Sequence, residues 1–147
     1  LQAHRARRIP GRQWVARCGV VLLIAEQGTA ANGAPALLMM RRAERAGDHR
    51  RANLQDHGLP FPVVTNSGPK GPAISDLLRR ARQNSAVFID DSPSYLASAY
   101  EHAPEVQLVH FLHDERFARH IEPLDYVSLR TDSWTEAKPH VLELISR

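Results

Sequence analysis

The chain has 147 residues, 43% hydrophobic and 24% charged, which suits one globular domain with a real core. No apolar run approaches the roughly 18–20 residues of a membrane span, and a lone cysteine, Cys18, excludes an internal disulfide and points to a reducing, cytoplasmic setting. The net charge of +3 hides an asymmetry: ten arginines and three acids give +7 over residues 1–51, and the remainder carries −4.

Residues 1–17 read as an Arg-rich tail, of which 1–12 are polar, aperiodic and expected to be disordered. Arg5, Arg7, Arg8, Arg12 and Arg17 would favour phosphates. No aromatic residues interleave them in a binding pattern, so a nucleic-acid partner is not expected. The order of a signal peptide is absent. Residues 18–147 read as a single domain, best supported over 43–147. Trp14 to Ala25 suits a strand or a short helix, Gln27 to Pro35 a loop, and Ala36 to Met40 a strand or a helix start.

Ala43 to His57 has helix-forming composition and stops at Gly58. Phe61 to Val64 is a predicted strand. Pro72 opens a helix with Ile74, Leu77, Leu78 and Ala81 on one face. Ala86 to Ile89 is the next strand, and Pro93 opens a helix with Leu96, Ala97, Ala99 and Tyr100 inward. Val106 to Phe111 is a strand, and Asp114 caps a helix through Ile121. Asp125 to Leu129 is a strand, and Asp132 or Ser133 caps a final helix through Ile145. This alternation predicts an α/β fold: a three-layer parallel sheet with helices on both faces, its N-terminal part atypical. Ligands in such sheets bind beyond the carboxyl ends of the strands.

Two strand-end loops carry chemistry. In Thr65-Asn66-Ser67-Gly68-Pro69-Lys70-Gly71-Pro72, the glycines allow close backbone approach, and the next helix N-terminus favours an anion. In Val87-Phe88-Ile89-Asp90-Asp91-Ser92, an apolar strand runs into two carboxylates, a Mg2+-binding arrangement. If their strands are neighbours, both loops face one crevice and form a phosphoryl site. The bland alternatives are a solvated lysine and a helix cap. His49, His57, His102, His110, His113, His120 and His140 read as surface or satisfied histidines, Tyr95, Tyr100 and Trp134 as core or rim, and Arg79, Arg80 and Arg82 as a solvated face.

The lysine precedes the acidic pair, opposite to the order in receiver domains. Over Arg50 to Trp134, about 85 residues, the chain resembles the C-terminal core of the haloacid dehalogenase-like (HAD) hydrolase superfamily, through TNSGPKGPA and VFIDDSP. The resemblance implies a Mg2+-dependent phosphohydrolase in which Lys70 orients the nucleophilic aspartate and neutralises charge. It also implies that Asp90 and Asp91 hold Mg2+; from the chemistry of the loop itself, Thr65, Asn66 and Lys70 are the candidate phosphate-binding residues. Its implied partner is a small phosphorylated metabolite or a phosphoprotein, with no membrane partner.

The departures are as informative. The family's nucleophile lies in an Asp-x-Asp motif after the first strand. No Asp-x-Asp occurs here, and no aspartate precedes Asp48. The Ser or Thr that ends the family's next strand is missing from Ala36 to Arg42. Three explanations stay open: a fragment with its nucleophile upstream, a degenerate non-catalytic relative, or a stretch 1–42 foreign to the original reading. The expectation is therefore a truncated or inactive phosphohydrolase, the alternative a non-catalytic binding or regulatory domain that keeps the fold.

Overall fold

The structure is a computed structural model, and it describes residues 21–24, 36–41, 63–112 and 114–145. The tail 1–17, the loop 27–35, the helix expected over 43–57 and His113 lie outside the described residues. The strands are β1 (Val21–Ile24), β2 (Ala36–Arg41), β3 (Val63–Asn66), β4 (Ala86–Asp90), β5 (Val106–Phe111) and β6 (Leu129–Thr131). The helices are α1 (Gly71–Ala81), α2 (Pro93–His102), α3 (Glu115–Ala118) and α4 (Trp134–Ile145).

The six strands form one sheet in the order β3-β2-β1-β4-β5-β6. β4, β5 and β6 are parallel, as are β2 and β3. A wholly parallel sheet, expected from the alternation, fails at β1, which runs antiparallel to both β2 and β4. Only residues 25–35 join β1 to β2, fewer than the dozen or more that a parallel crossover needs, which suits the antiparallel step.

β4 is buried along its whole length because it is covered on both faces. Its alternate residues feed two cores. Ala86 and Phe88 pack with Val106 and Leu108 of β5 against Ile74 and Leu78 of α1 and Leu96 and Ala99 of α2. Val87 and Ile89 pack with Val109 and Phe111 against Ala137 and Val141 of α4. Each fully buried side chain of this size contributes roughly 1.5–3 kcal/mol. The Phe111 and Trp134 rings stack at 4.5 Å between centroids, tying β5 to the start of α4.

Local signals explain the helix limits. α1 has Pro in its first turn and ends at Arg82, which takes a left-handed φ of 54° and returns its N–H to the carbonyls of Leu78 and Arg79. Asp76 pairs with Arg79 and Arg80 on the exposed side of α1. Ala81, expected on the apolar face, is exposed in the last turn. Asp114 accepts the Arg116 N–H at 3.0 Å as expected of a cap, but α3 stops at Ala118 rather than Ile121. The last strand lies at Leu129–Thr131 instead of Asp125–Leu129. Tyr126 is taken up by a stack on Tyr100 of α2, so the chain joins the sheet only beyond it. Among the described residues, no helix is long and apolar enough to cross a membrane.

Candidate functional site

β3 and β4 are not neighbours, because β2 and β1 lie between them. The two loops meet nevertheless. The chain leaves edge strand β3, turns through Gly68 at φ 96°, and brings Lys70 to the N-cap of α1. The α1 helix packs over Phe88, so its first turn reaches the carboxyl end of β4. The Asn66 carboxamide holds the turn by donating to the carbonyls of Gly68 and Pro69 at 3.2 and 3.0 Å. Thr65 lies in β3 opposite Met40.

Lys70 is 3% exposed and Asp90 is 1% exposed, so this is a buried ion pair. The ammonium Nζ donates to Asp90 Oδ2 at 2.9 Å. It also lies 4.3 Å from the Tyr95 ring centroid and 5.9 Å from that of Phe88, a cation–π enclosure on two sides. The second oxygen of Asp90, Oδ1, accepts the Ser92 N–H at 2.8 Å. Burial pushes the Asp90 carboxyl up to about 7, against the opposing pull of the Lys70 ammonium and the Ser92 N–H. Asp91 is exposed, and its carbonyl accepts from Nε2 of His110 at 3.3 Å.

The N-terminus of α1 is closed as well. The Gly71 N–H donates to Ser98 Oγ of α2 at 3.0 Å, and Pro72 has no N–H. Close approach is the reason for glycine at 71, since a Cβ there would lie 1.9 Å from the Ser98 carbonyl oxygen. The expected anion site at this helix end is thus occupied by the neighbouring helix.

The donor set does not fit Mg2+ as it stands. A hard cation needs several oxygen ligands around it. Asp90 is enclosed, with one oxygen on an ammonium and the other on a backbone N–H. Asp91 alone faces solvent, and no group of three or more His, Cys, Asp or Glu side chains suited to a metal occurs among the described residues. What the arrangement does is lock two loops together and shield both charges.

A further polar row runs along this edge. Asp90, His110 and Arg130 are consecutive register partners on β4, β5 and β6. His110 is fully buried, and burial lowers its pKa first, with the Arg130 charge acting in the same direction. Arg130 donates to the carbonyls of Ala118 and Ile121 at 2.9 and 2.7 Å, pinning the segment after α3. Sequence reasoning named Asp90, His110 and Tyr95, the last two only as a surface or satisfied histidine and a core or rim ring, and missed the row itself, Arg130 and Ser98. The signal for His110 was parity: it shares a strand face with Val106 and Leu108. No family model, curated protein or solved structure matches the chain.

Proposed function

We propose that this chain stems from the Mg2+-dependent phosphohydrolases of the haloacid dehalogenase-like superfamily and works without phosphoryl turnover, as a binding or regulatory domain on a three-layer α/β fold. The observation that carries the reading is the buried contact of Lys70 with Asp90, which joins the two loops in the chain order of that family. The strand order 3-2-1-4-5-6 adds support as the order of doubly wound sheets, although β1 is antiparallel here, and Asp90 lies at the carboxyl end of β4, the end at which parallel strands present ligand sites.

Two observations favour the non-catalytic form. β1 runs antiparallel to β4, with Val21 beside Ile89 and Ile24 beside Ala86. A nucleophile following β1 would therefore leave the sheet at the edge away from Asp90. The sequence offers no aspartate there in any case, Asp48 being the first. The ligand classes to screen are those of the lineage, small phosphorylated metabolites and phosphoproteins, and the proposed setting is the cytoplasm.

The test is turnover of a generic phosphate ester by the full chain with Mg2+. The expected rate equals that of buffer. A Mg2+-dependent rate abolished by Asp90→Asn would overturn the proposal.

A further inference from the structure

The last turns of α1 and α2 lie at the amino ends of the strands, away from the Lys70 site, because α1 ends just before β4 begins and α2 just before β5. Both helices pack on the same face of the sheet, so these two ends sit side by side. The α1 end is basic. Arg79, Arg80 and Arg82 are exposed there, and the first two share the single carboxylate of Asp76. The α2 end is aromatic and acidic. Tyr100 is 55% exposed, the most exposed large hydrophobic side chain among the described residues. It stacks on half-buried Tyr126, with ring centroids 4.6 Å apart. Glu101 follows Tyr100 and Asp125 precedes Tyr126; both are exposed, and both carboxylates act on the Tyr126 hydroxyl in addition to its burial. Arg82, Glu101 and Asp125 have no ion-pair partner among the described residues.

A flat guanidinium can stack on an open tyrosine ring and donate to a carboxylate at once. Tyrosine and arginine are also enriched among the side chains that anchor protein interfaces. One face of this chain therefore carries both halves of a complementary pair, and the chain does not join them to each other. A two-fold axis between the halves sets each against its opposite on a second copy, and does so twice. A foreign partner would have to carry the same pattern in reverse.

We propose that this end of the α1–α2 layer is a two-fold interface with a second copy of the chain, in which Arg82 of each protomer packs against Tyr100, Glu101 and Asp125 of the other. Charge contacts of this kind are screened by salt, so association weakens as salt rises. This inference is independent of the reading at Lys70.

Sedimentation velocity of the full chain over a micromolar concentration series tests it. The wild type is expected to dimerise at low salt and to shift toward monomer at high salt. Arg82→Glu and Glu101→Arg each set like charges opposite one another twice, and each is expected to raise the dimer dissociation constant about tenfold or more. An equimolar mixture of these two variants is expected to restore the dimer, because both contacts of the mixed pair again join opposite charges. Tyr100→Ala is expected to weaken association about tenfold, the scale of two exposed cation–π contacts, whereas Tyr100→Phe keeps the ring face and the wild-type affinity. Circular dichroism confirms that the variants stay folded. A wild type that stays monomeric throughout the series overturns the proposal. So does a dimer that both charge reversals leave intact, or a mixture that associates no better than either variant alone.

Discussion

Replacing Lys70 by methionine keeps the apolar stem under Tyr95 and removes the ammonium. The Asp90 side chain, fully inaccessible in the pair, then keeps only the Ser92 N–H as a partner. Breaking a buried pair from one side costs about 3–5 kcal/mol. With a urea slope of about 2 kcal/mol/M for a domain of this size, the unfolding midpoint falls by about 2 M. The cost depends on pH in a definite direction. Lys70→Met pushes the Asp90 carboxyl further up, so the group escapes by binding a proton in acid. The penalty is largest at about pH 8 and shrinks toward about pH 5. The double variant Lys70→Met with Asp90→Leu recovers most of the loss, because an apolar pair of similar volume leaves no charge unpaired. Urea titrations of the three proteins at both pH values decide the matter. A midpoint shift under about 0.5 M for Lys70→Met, or a double variant no better than the single, would refute the reasoning.

The Asp90 carboxyl also sets a pH dependence in the wild type. Its value rises from 3.8 to about 7 on folding, so the folded state binds the extra proton. Its contribution to stability is fully present below about 4 and is lost as pH rises through about 7; the difference profile between wild type and Asp90→Asn, measured by urea unfolding, should show this fall of a few kcal/mol. Gly71→Ala forces a Cβ against the Ser98 carbonyl oxygen and should cost about 1–3 kcal/mol or more in thermal unfolding, by prying α1 from α2. Ser98→Ala leaves the Gly71 N–H without its acceptor and should cost about 1–3 kcal/mol in the same measurement.

Much of the second half of the fold was legible because periodicity and punctuation agree there. Val106–Phe111 is a strand over the bounds its apolar pattern gave, and Pro93 and Ser133 mark the helix starts. The strand Ala86–Ile89 extends one residue to Asp90, whose parity puts its carboxyl on the α1 face with Phe88. The sequence pattern could not reveal strand direction or neighbours. Nothing in the apolar run at Val21–Ile24 distinguishes an antiparallel from a parallel strand, and nothing in Val63–Asn66 says that two strands separate it from β4. Residue type alone likewise made Lys70 look solvated or phosphate-facing. Its burial follows from the Tyr95 ring and from the close contact of Gly71 with Ser98, which draws α1 onto α2. The acidic pair reads differently once these are known: Asp90 is an interior partner and Asp91 a surface residue.

The central claim is that Lys70, rather than a metal ion, compensates Asp90. Calorimetric titration of the full chain with millimolar Mg2+ tests it most directly. The account predicts no saturable binding that depends on Asp90. Stoichiometric Mg2+ binding that disappears in Asp90→Asn would contradict it.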